Sequence, residues 1–329
     1  MPRISIIIPM RNAEPWIGAT MQSLLAQPGE TEILVIDDGS TDRSVEVVRG
    51  VGSDRVRVIA GPRRGISAAF NAGLTAAAGE YLCRCDADDL YPAGRLGWQA
   101  AFLDVNPDVG AICGSYATID PSGRRVADHF ADHPAGDVTR EILTGRSRSH
   151  MCAYLFRTAI LRQIGGCREW FVTSEDADLQ FRLAEVTQVT FDPRCAYLYR
   201  LHDASITHAQ KSAQREFFER QARRFLEQRL RGEPDDVQRH APPPVPSAGT
   251  GQASMSTDVQ IQELLLGQAW REHASGLRRR AVSTGWRAVR TCPGRLKAWR
   301  SLAALLIKPA SRKIVEGGTP PDRHDLQTP

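Results

Sequence analysis

Along the first half of the chain, short apolar runs alternate with longer segments whose apolar residues recur every three or four positions. Runs of strand length fall at residues 4–8, 33–36, 56–59 and 81–85, and helix-like segments follow them at 16–25, 44–49, 68–77 and 95–105. Such alternation predicts parallel strands joined by covering helices. Ile33-Leu34-Val35-Ile36 is apolar at every position, which fits a strand buried on both faces. Open sheets of this kind bind ligands at the carboxyl ends of their strands, where Pro9, Asp37 and Asp86 fall.

Beyond residue 109 the pattern is mixed. It predicts strands at 109–115, near Tyr154 and at 195–199, helices at 159–164 and 176–185, and a break at Gly165-Gly166. An amphipathic helix is expected over 208–230, with Phe217, Phe218, Phe225 and Leu226 at helical spacing for packing. Residues 231–257 turn to Pro, Gly, Ser and Gln. The predicted division is an α/β domain over 1–206, an amphipathic helix packing on it over 207–231, and a linker or disordered insertion over 232–257. A basic amphipathic helical extension follows over 258–315, then a disordered tail over 316–329.

Hydrophobic residues make up 42% and charged residues 24%, ordinary globular usage for a chain able to bury a large core. The net charge of +4 is unevenly placed: residues 258–313 carry about +9, leaving the rest acidic. There Leu277, Trp286, Leu296, Trp299 and Leu306 interleave with the arginines. Two readings stand level, a helix lying in an anionic membrane interface and a helical pair packed on the first domain with a solvated basic face. No recognition motif accompanies the charge, so nucleic acid is not expected as a partner. The seven cysteines are odd in number and irregularly spaced, which implies neither a disulfide framework nor a zinc knuckle and suits a reducing cytosol. The chain opens directly on a strand-like run, without the pattern of a signal peptide, and has no apolar run approaching about 18 residues. A cytoplasmic protein is expected, peripheral at the inner membrane face if the basic helices bind lipid.

Three acidic sites carry the chemistry. Tyr81-Leu82-Cys83-Arg84-Cys85-Asp86-Ala87-Asp88-Asp89 is a short strand ending in three carboxylates within four residues. Two carboxylates about 4 Å apart repel by roughly 4 kcal/mol at an effective dielectric of 20, so such a cluster persists where a cation or hydrogen-bonding ligand sits on it. Mg²⁺ and Mn²⁺ take oxygen ligands and commonly bind through one or two carboxylates plus substrate phosphates. Asp37-Asp38-Gly39 ends a buried strand: it suits a turn, and equally an acceptor for the imide N–H of a uracil-like base. Ser174-Glu175-Asp176-Ala177-Asp178 opens a helix, where acids at the first turn are favourable in themselves.

The order and wording of these stretches resemble the family 2 glycosyltransferases of the GT-A fold. The resemblance is carried by Ser5-Ile6-Ile7-Ile8-Pro9-Met10-Arg11-Asn12-Ala13, Val35 through Asp42, Gly65 through Gly73, Ala78-Gly79-Glu80-Tyr81, Asp86-Ala87-Asp88-Asp89, Gly165-Gly166, Ser174 through Leu179 and Tyr199-Arg200-Leu201-His202. It implies a Rossmann-like, mostly parallel sheet flanked by helices, with the helical extension behind it. It also implies an inverting, hexosyltransferase-type enzyme that moves a sugar from a nucleoside-diphosphate sugar, a UDP-sugar by family tendency, to an acceptor hydroxyl of a glycan or lipid-linked molecule in cell-surface polysaccharide or glycolipid synthesis. Pro9, Asn12 and Asp38 would line the base pocket with Asp37 beside them, Asp86 would face the ribose, and Asp88 with His202 would meet Mn²⁺ or Mg²⁺. Asp89 would support that loop, and Asp176 would be the general base.

Weaker candidates are Arg64 beside the diphosphate, Trp170 stacking on an acceptor sugar and Glu175 at the acceptor side. Two other readings use the same cleft: a GT-A-like nucleotidyltransferase attacking phosphorus, and a non-catalytic nucleotide-sugar binding or scaffold protein. The first lacks a glycine-rich, lysine-bearing signature near the N-terminus.

Overall fold

The computed structural model describes residues 3–204, 212–246 and 256–309. They form two compact units divided between Thr257 and Asp258.

The first unit is built on one nine-stranded sheet. Its N-terminal half consists of β1 (Ile4–Met10), β2 (Thr31–Asp37), β3 (Val56–Ala60) and β4 (Tyr81–Arg84), all parallel and ordered β3-β2-β1-β4. Between them run α1 (Glu14–Leu25), α2 (Ser44–Gly50) and α3 (Ile66–Ala76), and α4 (Arg95–Val105) follows β4. Burial on both faces accounts for the unbroken apolar runs. Ile6, Ile8, Ile33 and Val35 share one core with Ile17, Met21 and Leu24 of α1, while Ile7, Leu34 and Ile36 share the other with Ala69, Phe70 and Leu74 of α3. Gly73 lets α3 seat closely: a Cβ there would come within 2.5 Å of Ile7 Cγ2.

The second half of the sheet is mixed rather than parallel. β8 (Tyr154–Arg157) is antiparallel to both β4 and β5 (Val109–Ile119), and β5 runs parallel to β9 (Gln188–Arg200). β6 (Arg125–His129) and β7 (Gly136–Asp137) pair antiparallel with β5 and β9. Both are short, and no hydrophobic alternation announces them. Opposite Gly114 and Ser115, β9 slips register so that Pro193 and Arg194 bulge out of the ladder; a proline cannot donate to it. The bulge re-aims the end of β9, bringing Tyr197 and Arg200 to the carboxyl end of β4.

Helices α5 (Thr139–Ile142), α6 (Thr158–Gln163), α7 (Glu175–Val186) and α8 (Ser212–Leu230) complete this unit. Phe218, Phe225 and Leu226 of α8 are buried in the core shared with α7. The start of the expected helix, residues 208–211, and the tail at 316–329 lie outside the described residues. The segment read as a linker is anchored at its beginning. Asp235 is fully buried, pairs with Arg168 at 2.8 Å, and accepts a hydrogen bond from Arg229 at 2.6 Å.

In the second unit, α9 (Thr257–Ala274) is followed by the helical hairpin of α10 (Arg278–Thr291) and α11 (Leu296–Ile307). The hairpin closes through small residues: a Cβ on Gly285 would lie 3.0 Å from Leu305 and 3.3 Å from Leu302, so only a small residue fits the contact.

Candidate active site

At the carboxyl end of β1 and β2 the loops are stitched together by short polar side chains. Asn12, at φ +52°, accepts from the Thr41 N–H at 2.8 Å and the Thr41 hydroxyl at 3.3 Å, while its own N–H donates to Ser40 Oγ at 3.1 Å. Asn is among the few residues that tolerate this backbone region. Asp37 accepts from the Ser40 N–H at 3.0 Å. Gly39 turns the chain at φ +93°, and half-buried Pro9 closes the end of β1. Asp38 differs from its neighbour. Its Oδ2 accepts from the Gly65 N–H at 2.8 Å, whereas its Oδ1 is buried with no partner. A buried carboxylate oxygen left open is costly unless a ligand donor meets it. Asp38 thus differs from Asp37 in carrying an unpaired buried acceptor, which lies beside Gly61.

Arg84, the last residue of β4, is 4% exposed. Its Nε donates to Asp86 Oδ1 at 2.7 Å and its Nη1 to Glu175 Oε1 at 3.0 Å. One guanidinium thus joins the acidic end of β4 to the first turn of α7, where the half-buried Asp176 sits. Burial by itself would raise the Asp86 carboxyl, but Arg84 and His150 together hold it below its ordinary value. Asp176 is pushed up by burial, an effect that Arg84 opposes, and Glu175 is raised for the same reason. A carboxylate with a raised pKa in a partly closed site is suited to general-base work. The first turn of α7 is not a side-chain-capped N-terminus, because Ser174 is left-handed at φ +59° and makes no capping bond. Asp178 belongs to the scaffold, fully buried against Arg182 at 2.8 Å.

Asp88 and His202 meet at 2.9 Å, Oδ2 to Nε2. The imidazole stacks on Trp16 with ring centroids 4.8 Å apart, and its Nδ1 is buried without a partner. Asp89 lies wholly inside, accepting from the Tyr197 hydroxyl and the Arg200 N–H, each at 2.6 Å. Burial and then repulsion from Asp88 and Asp86 push its carboxyl well above the usual range. Arg200 also donates to the Asp88 carbonyl at 2.7 Å, so the Asp86–Asp89 loop is pinned from β9. Among the described residues no group of three His, Cys, Asp or Glu side chains gathers to hold a metal ion. The Asp88 carboxylate, with the neighbouring imidazole, nevertheless supplies O and N donors of the kind Mn²⁺ accepts, and a diphosphate would complete such a set.

Three weaker candidates make contacts within the protein. Half-buried Trp170 packs edge-on against Phe171 and Phe218 with centroids 5.0 Å away and tilted against Phe225 at 5.4 Å. Glu175 is buried and pairs with Arg84. Arg64 reaches Glu169 at 3.0 Å in an exposed ion pair. Arg84, Tyr197 and Arg200, to which the sequence pattern gives no role, also organise the site. For Arg84 a signal existed, since a lone arginine inside an apolar strand run must find buried carboxylates.

The fold is an α/β sheet that carries acids at the carboxyl ends of β2 and β4 and at the start of α7. The glycosyl transferase family 2 model matches residues 5–171, and the chain belongs to that family. It is a glycosyltransferase of the GT-A fold. It is 30% identical over 214 residues to an uncharacterized glycosyltransferase of Rickettsia typhi, covering 63% of this chain and 66% of the relative. Identity is 37% over 130 residues to another from Haemophilus influenzae, covering 38% and 52%. The chain thus spans about two thirds or less of the length of these curated relatives. Among solved structures, TarS 1–349 of S. aureus in complex with UDP-GlcNAc superposes with a TM-score of 0.57 at 18% identity, over 92% of this chain and 90% of that one. The mannosyltransferase PcManGT of Pyrobaculum calidifontis, in complex with GDP-Man and Mn²⁺, gives 0.51 at 19% identity over 92% and 79%. Among the described residues no helix is long and apolar enough to cross a membrane.

Proposed function

We propose that the enzyme moves a glycosyl group from a UDP-sugar to an acceptor hydroxyl with inversion at the anomeric carbon. The observation that supports this reading is the Arg84 bridge, which ties Asp86 at the end of β4 to Glu175 in the first turn of α7, next to Asp176. The open Oδ1 of Asp38 accepts the uracil imide N–H, and Asn12 and Pro9 shape that end of the pocket. Asp86 accepts from the ribose hydroxyls with the oxygen that Arg84 leaves open. Asp176 takes the proton of the acceptor hydroxyl as that oxygen attacks the sugar from the face opposite the nucleotide. Only one carboxylate is needed there.

UDP and GDP sugars, and in one case Mn²⁺, are bound by the structural neighbours, which supports a diphosphate donor and a divalent ion. Asp88 and His202 are the residues that would hold the ion, and when bound it supplies stabilisation of the negative charge that develops on the leaving diphosphate. Membership in a glycosyltransferase family supports glycosyl transfer over the nucleotidyltransferase and scaffold readings.

The test is Asp176→Asn. UDP affinity by calorimetry should stay within about threefold, while UDP release from a panel of UDP-sugars with acceptor falls by roughly 10² or more, the usual contribution of base catalysis. Unchanged turnover would overturn the assignment.

A further inference from the structure

From residue 278 to residue 307 the chain carries eight arginines and lysines and no acidic residue. Arg295 and Lys297 pair with Glu263 of α9, and the remaining charge flanks an apolar face that is not packed away. Leu296, Trp299 and Leu306 recur at helical spacing along α11 and are 69%, 43% and 48% exposed, and Trp286 of α10, at 47%, meets Trp299 edge-on with centroids 5.8 Å apart. The other side of each helix is the packed one, where Gly285 faces Leu302 and Leu305 and Ala281 is clustered with Leu305. Trp286 and Trp299 are therefore not core residues caught at an edge. They form the centre of a separate outer face. On α10 the same side of the helix presents Arg279 and Arg290, one turn or two from Trp286 and both exposed.

We propose that this outer face of α10 and α11 is a docking surface for an anionic lipid bilayer. Its two tryptophans and leucines would enter the headgroup boundary, and its arginines would lie against lipid phosphates. Tryptophan pairs an apolar ring with one N–H donor and is at home at that boundary; here the Trp299 N–H is already satisfied by the Pro293 carbonyl at 2.8 Å, so the ring can enter without stranding a donor. A basic helix with an exposed Trp/Leu stripe is the pattern of interfacial helices. Two competing occupants fit less well. A second copy meeting this face about a twofold axis would set like charges against each other. Nucleic acid would reward the arginines but leave the leucines and tryptophans in contact with phosphate and water.

The experiment is flotation of the full-length protein with phosphatidylcholine vesicles, with and without about 30% phosphatidylglycerol. Wild type should float with the anionic vesicles only, and less so at about 0.5 M salt. Two double variants separate the components: Trp286→Ser with Trp299→Ser removes the apolar centre, and Arg279→Glu with Arg290→Glu reverses charge at its border. Each should lower partitioning on the order of tenfold or more, with the circular dichroism spectrum and UDP affinity unchanged. Because all four positions are exposed, folding should survive in both. Failure of the wild type to float, or equal flotation of wild type and both variants, overturns the proposal. So does a dimer by light scattering that the tryptophan variant dissolves while no vesicle binding occurs. The outcome is independent of the transfer reaction, since none of these residues belongs to the cleft.

Discussion

Arg84 Nη1 and Glu175 Oε1 lie 3.0 Å apart although 91 residues separate them in the chain. Their ion pair ties the end of β4, where the Asp86–Asp89 loop begins, to the beginning of α7, which carries Asp176. The pair is buried, and its desolvation cost means it is no simple source of stability. Removing one partner alone is another matter. Arg84→Gln would leave Asp86 and Glu175 buried without their cation, with an expected loss of about 3–5 kcal/mol in urea unfolding. Arg84→Lys should fall between, because an ammonium cannot reproduce the planar fork that serves both carboxylates.

The pH dependence follows from the same arrangement. Asp176 must be ionised to take a proton, and burial raises its pKa above the ordinary aspartate value. The acidic limb of kcat/KM should therefore lie above that value, with activity rising as the pH climbs through it. Arg84 favours the ionised form, so Arg84→Gln should move the limb to higher pH. For stability the sign is reversed: a carboxyl raised on folding contributes fully below its unfolded pKa, and that contribution is lost as pH rises through the folded value. Asp176→Asn should flatten this fall, measured as Tm against pH.

Asp38→Asn keeps an oxygen for the Gly65 N–H but turns an amide toward the base in place of the open Oδ1. UDP binding should weaken by about 10- to 100-fold, the loss of one charge-assisted hydrogen bond, as measured by calorimetry. Asp37→Asn, whose oxygen serves the Ser40 N–H, should change affinity far less.

His202 and Asp88 touch at 2.9 Å, which makes their substitution a test of metal dependence. In a thermal-shift titration Mn²⁺ should increase the stabilisation of wild type by UDP, since binding to the native state raises Tm with ligand concentration over Kd. In Asp88→Asn and His202→Ala the Mn²⁺ increment should vanish while the shift by UDP alone persists. A retained increment would remove both residues from the metal site.

Trp170→Ala distinguishes a packing ring from a sugar-stacking one. Contacts with Phe171, Phe218 and Phe225 lead us to expect a stability loss of about 3 kcal/mol with the KM for acceptor unchanged. A raised KM without destabilisation would return Trp170 to the acceptor.

Local pattern was enough to draw the parallel half of the sheet. Residues 33–36 had to be buried on both faces because no position offered water a polar side chain, and the turn at Gly39 followed from a glycine that can take φ +93°. Asp38, Asp86 and Asp88 were readable as candidates because acids clustered at strand ends are costly without a partner, and Asp176 because its stretch resembles the family 2 glycosyltransferases. Which partner each acquires is a long-range matter. Periodicity carries no record of a guanidinium spanning from residue 84 to residue 175, of the β9 bulge that swings Tyr197 and Arg200 beneath Asp89, or of α8 drawing Trp170 into an aromatic core. Sequence chemistry named the charged groups, and tertiary packing decided which of them are neutralised, which are spent on scaffold and which remain open to a ligand. The reason is that burial and pairing energies depend on distances through space, which neighbouring residues along the chain do not set.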